Sequence, residues 1–544
     1  MKKITSLIDI LSAQTEKAPE RVIYRFLEYK NGEWDMQNIT MRALYHKSLE
    51  IAYMLRKKGL RPGDRAVIFS MQDYGTTYAI LGCMMAGVTF TVIPPPLDEG
   101  KVARFISVLK SCQPKALISN YAMEQESGVS ITGRLIREAF TSVIRLKRIY
   151  TDRLTPYKRK DVIVEATENR LVYLQYTSGS TSAPRGVRVT WKALMKNLEQ
   201  CQACYDFNNG TLGTWVPFFH NLGLVVTICM PICTTNACAY FLSTLQFLEN
   251  PKLWVKMLHD FNLTLTVGPG SAFDACTRIF TPEEAAKYPL TQVTHFMNGS
   301  EFISAETVEK FSELFHLSPN AMAPGYGLAE NALAVSFSDE ASGVVVNEVD
   351  RDILEYQGKA VAPGAETRAV STFVNCGKAL PEHGIEIRNE AGMPVAERVV
   401  GHICISGPSL MSGYFGDQVS QDEIAATGWL DTGDLGYLLD GYLYVTGRIK
   451  DLIIIRGRNI WPQDIEYIAE QEPEIHSGDA IAFVTAQEKI ILQIQCRISD
   501  EERRGQLIHA LAARIQSEFG VTAAIDLLPP HSIPRTSSGK PARA

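Results

Sequence analysis

No apolar run in this chain is long and unbroken enough to span a membrane. The longest such neighbourhood, roughly 222–242, is interrupted by Asn236, several threonines and Pro231, whereas a spanning helix needs about 20 predominantly apolar residues. Residues 4–12 follow a Met-Lys-Lys start, but Asp9 breaks the stretch. They read as an amphipathic helix and not as the core of a signal peptide. Zinc spacing is also missing. Cys201 and Cys204 form one C-x-x-C with no second pair, and the 11 cysteines are scattered and odd in number. That usage fits reduced, buried thiols in a cytoplasmic protein and argues against a disulfide framework. Positive charge is not concentrated anywhere. The net charge of −6 is spread along the chain, which argues against a nucleic-acid surface or a polybasic membrane patch. Internal repeats and low-complexity tracts are absent as well.

What is present is an ordinary core-forming composition on a long chain. The 544 residues, 46% of them apolar, exceed what one hydrophobic core holds and predict more than one domain. Helical and strand patterns alternate through the first third. Leu44, Ser48, Ile51 and Leu55 share a helical face that Gly59 ends. Strands are predicted at 65–70, 88–93 and 116–119, with helices at 77–86 and 101–111 between them. This alternation implies a parallel sheet covered by helices. A second α/β stretch follows Tyr173. Residues 401–446 differ, with short β-branched segments and turns expected at Gly433–Asp434 and Asp440–Gly441. Beyond Arg448 come strands at 480–485 and 490–496 and a helix at 501–519. A boundary is expected near Lys450–Asp451.

Five segments carry chemistry. Tyr176-Thr-Ser-Gly-Ser-Thr-Ser-Ala-Pro-Arg-Gly-Val187 follows a strand predicted at 171–175. Small hydroxyl residues around glycine let backbone N–H groups and hydroxyls wrap a polyphosphate. It is not a Walker loop: the gap from Gly179 to Gly186 is too long, and Val187 stands where lysine is needed. Further along lie Tyr326-Gly-Leu-Ala-Glu330, Trp429-Leu-Asp-Thr-Gly-Asp434, Thr446-Gly-Arg-Ile-Lys-Asp451 and Pro534-Arg-Thr-Ser-Ser-Gly-Lys540. Singly, each reads as a core tyrosine, a turn, a solvated charge or a chain tail.

In combination and in this order they resemble the adenylate-forming superfamily of acyl-CoA synthetases, luciferases and peptide-synthetase adenylation domains. Trp215-Val-Pro-Phe-Phe-His-Asn-Leu-Gly-Leu224, Asn298-Gly-Ser-Glu301 and Arg456-Gly-Arg-Asn-Ile-Trp-Pro-Gln-Asp-Ile-Glu466 are similar to the fatty acyl-AMP ligases. So is an extra segment, roughly 344–373, ahead of Asn375-Cys-Gly-Lys-Ala-Leu-Pro381. The resemblance implies an α/β fold. A large N-terminal part, 1–449, would hold two helix-covered sheets and a small β subdomain at about 375–449. A small mobile α+β lid, 450–544, would follow a hinge at 450–451. It also implies ATP and Mg2+ as cofactors, a fatty acid as substrate and a phosphopantetheine-bearing acyl carrier protein as partner, of polyketide or peptide-synthetase type. A CoA ligase on the same scaffold, or a non-catalytic acyl or nucleotide binder, are the alternatives.

The roles implied by the resemblance are specific. Thr177, Ser178, Gly179, Ser180 and Thr181 would cradle phosphates, with Thr177 and Glu330 on the metal. Tyr326, with Gly327, Leu328 and Ala329, would lie against adenine, and Asn298, Gly299 and Ser300 would line its pocket. Asp434 would accept both ribose hydroxyls, and Arg448 would contact the same sugar. Lys540 would bridge the carboxylate and the α-phosphate, and His220 would border the carboxylate. Trp215, Phe218, Phe219 and the run after Leu222 suit either an acyl tunnel or plain core. The chain departs from the superfamily pattern at Ser182, Arg185, Asn221 and His402, which stand where glycine, lysine, aspartate and glutamate are usual, and in ending four residues after Lys540.

Overall fold

The computed structural model describes residues 3–70, 72–95, 99–122, 146–157, 161–177, 184–339, 343–455, 458–476, 478–485 and 489–535. Two large sheets dominate. The first has six strands in the order Lys147–Tyr150, Ala116–Ser119, Arg65–Phe69, Thr89–Ile93, Leu171–Thr177 and Arg185–Thr190. Its pairings are parallel until the last, which is antiparallel. The second has nine strands, and its inner five, Met322–Gly327, His295–Asn298, Leu265–Gly268, Thr211–Thr214 and Cys238–Leu242, pair in parallel. Arg65–Phe69, Thr89–Ile93, Ala116–Ser119 and Cys238–Leu242 are buried along nearly their whole length, as sheets covered on both faces require.

Helices Leu7–Lys17, Met41–Lys57 and Tyr74–Ala86 contribute to one core that draws on both sheets. The helix Tyr74–Ala86 is buried along almost its whole length, as befits a helix apolar on every side. Its first turn is capped by Asp73, which accepts from the Thr76 N–H at 2.8 Å. The amphipathic N-terminal segment forms Leu7–Lys17, closed by a Ser6–Asp9 capping box. No helix among the described residues is long and apolar enough to cross a membrane.

Four antiparallel strands, Gly384–Arg388, Gly401–Ser406, Trp429–Leu439 and Tyr442–Arg448, form a third sheet. The expected turn at Asp440–Gly441 is present, with φ of 54° and 77° at those residues. The one expected at Gly433–Asp434 is not. Strand Trp429–Leu439 runs through it, and the extra residues form a bulge where the partner register jumps between His402 and Cys404. Gly433 takes φ +75° there. A bulge needs the same left-handed glycine as a turn, so the two look alike in sequence.

The residues after Leu452 gather a separate core around Ile460, Ile468, Leu492, Leu511 and Phe519. Strand Ile490–Gln495 pairs in parallel with Ala523–Leu528, and the helix Glu501–Phe519 supplies the crossover that parallel pairing demands. The segment around 344–373 is not a bare loop. It holds strand Val346–Asp350, helix Arg351–Gln357 and strand Val370–Val374, the two strands paired antiparallel. Its apolar side joins Val349, Leu354 and Phe373 to Tyr437, Tyr444 and Trp461. Its helix places Glu355, fully buried, against the Arg458 guanidinium, which also donates to the Phe519 carbonyl. Arg351 lies 4.9 Å from the Phe519 ring centre. Replacing Arg458 by alanine strands the Glu355 carboxylate without its cation, and breaking such a buried pair costs about 3–5 kcal/mol. Arg458→Ala is therefore expected to lower the melting temperature and to speed limited proteolysis after Leu452, whereas an exposed control, Arg514→Ala, leaves both near wild type.

Candidate active site

A cleft of about 1980 Å³ opens where the nine-stranded sheet meets the four-stranded sheet and the residues after Ile449. Ligands of open α/β sheets bind beyond the carboxyl ends of parallel strands, and two such ends, those of His295–Asn298 and Met322–Gly327, feed this wall. The volume exceeds the usual 300–1,000 Å³ of a single-ligand pocket. His220, Asn298, Gly299, Ser300, Tyr326, Gly327, Leu328, Ala329, Glu330, Asp434 and Arg448 all line it. Gly327 permits the close approach of backbone: a Cβ there would lie 2.2 Å from the Leu333 carbonyl oxygen.

Three of these side chains form a chain of contacts. The Tyr326 hydroxyl donates to Asp434 Oδ2 at 2.7 Å, and Arg448 Nε lies 3.1 Å from Asp434 Oδ1. Burial, reinforced by Asp434, lifts the Tyr326 hydroxyl well above its ordinary range, so it stays protonated as a donor. Burial alone would pull Arg448 down, yet Asp434 and Asp451 outweigh it and hold the guanidinium above its ordinary value. The bulge at Gly433 aims Asp434: its N–H donates to Thr432 Oγ1 at 3.2 Å, while Thr432 Oγ1 donates to the Ile403 carbonyl at 2.9 Å.

Glu330 sits in the short turn Ala329–Asn331. Its backbone carbonyl accepts from the Met411 N–H at 2.7 Å, and its Oε1 accepts from the Tyr414 hydroxyl at 2.9 Å. Burial raises the Glu330 carboxyl above the usual range, and the Tyr414 bond opposes that rise. The Arg185 guanidinium lies 3.7 Å from the centre of the same Tyr414 ring and 2.9 Å from Asp417 Oδ2. Arginine is the cation most often found over an aromatic face in this way. Tyr414 and Asp417 were not found by sequence reasoning. Their only signal was an aromatic pair between glycines, Gly413-Tyr-Phe-Gly416, in a linker between strands.

The aromatic motif divides. Trp215 stacks on Phe247 with ring centres 3.7 Å apart, and Phe218 is fully buried against Phe26 and Phe241; these two are core. Phe219, Leu222 and Val226 face the cleft beside His220. Leu222 and Val226 belong to a π-helix, Leu222–Cys229, a form concentrated at functional sites. Asn298 is 3% exposed, and neither atom of its amide has a hydrogen-bond partner among the described residues, an arrangement that a bound ligand would relieve. Thr177 ends the strand Leu171–Thr177, which pairs antiparallel with Arg185–Thr190. The Thr177 side chain, Ser178, Gly179, Ser180, Thr181, Ser182 and Lys540 lie outside the described residues. The last described residue before Lys540 in the chain is Arg535, which donates to the Gly478 carbonyl at 2.7 Å and pairs with Asp479 at 3.1 Å.

Residues 11–415 match the AMP-binding enzyme family. Among solved structures, one from a study of fatty acyl-adenylate ligases of E. coli and L. pneumophila is 53% identical, with a TM-score of 0.91 over 99% of this chain and 96% of that one. Among curated relatives, the medium-chain-fatty-acid acyl-carrier-protein ligase JamA of Moorena producens is 31% identical over 99% of this chain and 94% of its own length. The long-chain-fatty-acid–AMP ligase FadD32 of Mycolicibacterium smegmatis is 30% identical over 96% and 90%. A putative acyl-CoA synthetase of Caulobacter vibrioides is 31% identical over 92% and 88%.

The Tyr414–Glu330 bond has a measurable consequence. Without it the Glu330 carboxyl, already raised by burial, rises further, so its ionised form is lost at a higher pH. Carbon-13 NMR of the Glu330 carboxyl across pH is expected to show its titration shifted upward in Tyr414→Phe. Tyr414→Ala, which also removes the ring beneath Arg185, is expected to shift it the same way.

Proposed function

Because the chain belongs to the AMP-binding enzymes, in their fatty acyl-AMP ligase branch, we propose that it joins a fatty acid to AMP at the expense of ATP. It then passes the acyl group to the phosphopantetheine thiol of an acyl carrier protein. The observation that carries this reading is the convergence of Tyr326, Glu330, Asp434 and Arg448 on one cleft beside the His220 wall. A binder of acyl chains alone has no use for a carboxylate, a paired aspartate and a guanidinium in the same cleft.

The chemistry follows from charge. A carboxylate must reach the α-phosphate of ATP, and both are anionic, so the site has to neutralise charge and hold the attack in line. Asp434 suits the ribose hydroxyls, since each of its oxygens accepts, and Tyr326 and Arg448 hold it in place. Asn298, Gly299 and Ser300, with Tyr326 and the Gly327–Ala329 backbone, suit adenine. Arg185 and the segment Thr177–Thr181 suit the departing phosphates. Glu330 offers one carboxylate, and among the described residues no three His, Cys, Asp or Glu converge as a cage. A lone carboxylate fits Mg2+, which keeps waters and takes substrate phosphate oxygens; when bound, it would offset phosphate charge. His220 and Phe219 border the acid, with Leu222 and Val226 continuing the apolar wall. Lys540 would reach the same point from the C-terminal residues, which a pivot at Lys450–Asp451 would bring in and withdraw. The cytoplasm, where ATP is held, is the compartment this reading implies.

Carrier protein over CoA is favoured by the 344–373 segment, which grips the C-terminal residues through Glu355 and Arg458. It is also favoured by the likeness to JamA and FadD32. The likeness to a putative acyl-CoA synthetase makes the CoA ligase the second reading. Both are tested by incubating the protein with ATP, Mg2+ and fatty acids of graded length, with CoA or a phosphopantetheinylated carrier protein, and weighing the products. Acyl-AMP that persists with CoA and loads the carrier is the expected result; efficient acyl-CoA formation replaces it with the second reading, and no acyl-AMP from any acid overturns both. Lys540→Ala is expected to lower the rate of adenylate formation roughly 100- to 1,000-fold, as loss of one preorganised transition-state donor does, with little change in ATP affinity.

A further inference from the structure

Glu330 is followed at once by an unusual piece of backbone. Ala332 has φ 59° and ψ −50°, and the Leu333 N–H reaches back to the Asn331 carbonyl at 2.6 Å. This is a γ-turn with positive φ, a rare and strained form. Alanine has no glycine-like freedom to adopt it, and strained backbone persists only where its surroundings over-determine it. Ala332 is also fully buried, so its carbonyl requires a donor.

That donor comes from a distant element. Asn221 Nδ2 donates to the Ala332 carbonyl at 2.6 Å. Asn221 is 8% exposed and precedes the π-helix Leu222–Cys229, where its side chain makes no capping bond. Gly223, two residues on, packs so closely that a Cβ would lie 2.2 Å from the Pro217 carbonyl oxygen, which pins the turn that carries Asn221. The far side of the strained segment is held too: Asn197 Nδ2 donates to the Ala334 carbonyl at 2.8 Å, and its Oδ1 accepts from the Ala334 N–H at 3.1 Å. Both clamps lie just C-terminal to Glu330, whose own carbonyl is held by the Met411 N–H at 2.7 Å.

We infer that Asn221 is a positioning residue: its amide holds the γ-turn at Ala332 and thereby sets where the Glu330 carboxylate meets a bound magnesium nucleotide. The inference rests on the role proposed above for Glu330. It makes the amide nitrogen the working atom in this chain: an ionised aspartate, the residue usual at this point of the superfamily pattern, has no donor for the Ala332 carbonyl and is expected to loosen the turn here.

The test uses the full chain with Asn221→Asp, Asn221→Ala and the double variant Asn221→Ala/Ala332→Gly. Hydrogen–deuterium exchange reads the clamp, and calorimetry of ATP at graded Mg2+ reads Glu330 without requiring turnover. Both single variants are expected to exchange at least about 10-fold faster over 328–338 than wild type, with helix 191–204 unchanged. Both should need at least about 5-fold more Mg2+ for the same ATP affinity. Ala332→Gly is expected to restore most of that affinity to Asn221→Ala, since glycine adopts the turn without strain; a mere packing defect would not be relieved by it. Unchanged exchange at 328–338 overturns the clamp. Faster exchange with unaltered Mg2+ dependence overturns the positioning role. A wild type that binds ATP with Mg2+ yet makes no acyl-AMP defeats the functional proposal instead, and the exchange and binding readouts still decide this one.

Discussion

One aspartate, held between a tyrosine hydroxyl and a guanidinium, joins the nine-stranded sheet to the four-stranded sheet at the mouth of the cleft. Tyr326 reaches Asp434 from the end of strand Met322–Gly327, and Arg448 reaches it from the end of Tyr442–Arg448. Neither sheet alone contains the site. The strand that carries Tyr326 leads into the turn that carries Glu330, and the strand that ends in Arg448 leads into Ile449–Asp451 and the C-terminal residues. The contacts at Asp434 therefore align the Glu330 turn with the start of the C-terminal part.

Around that junction the protein solves a problem of like charges. Asp434 and Glu330, which the proposed reaction assigns to hydroxyls and a cation, are each paired by a donor that keeps it in place. Burial alone would push Glu330 toward its neutral form, and the Tyr414 hydroxyl works against this. Tyr414 has a second function on its ring face, where it seats Arg185. A cation over an aromatic face is worth about 0.5–1 kcal/mol at exposed sites, enough to orient a long side chain without neutralising it. The strained turn at Ala332 belongs to the same design: it is tolerated because buried asparagines bind its carbonyl and its flanks.

The regular elements were legible because their periodicities are local. The strand at 116–119 and the helix at 501–519 have the bounds read from sequence, and Gly59 lies just past the end of its helix. Errors came where one residue type serves two geometries. Gly433 signals a left-handed backbone but not whether a turn or a bulge uses it. The aromatic cluster shows the same limit: Trp215, Phe218 and Phe219 are equally apolar, and only packing makes two of them core and one a cleft wall. Tyr414 escaped notice because nothing local distinguishes a tyrosine whose partners lie 84 residues away at Glu330 and far upstream at Arg185.

The sequence by itself determined the family, the order of its motifs and the residue types the chemistry needs, because those depend on side-chain identity and spacing along one strand or loop. Tertiary structure alone decided which of these residues meet, how each is held and which neighbours support them. It brought Tyr326 to Asp434, Tyr414 to Glu330 and Asn221 to Ala332, pairs separated by 108, 84 and 111 positions. It also folded the 344–373 segment onto Arg458. The physical reason is that hydrogen bonds and ion pairs act over about 3 Å, a distance set by how sheets pack and not by how far apart two residues lie along the chain.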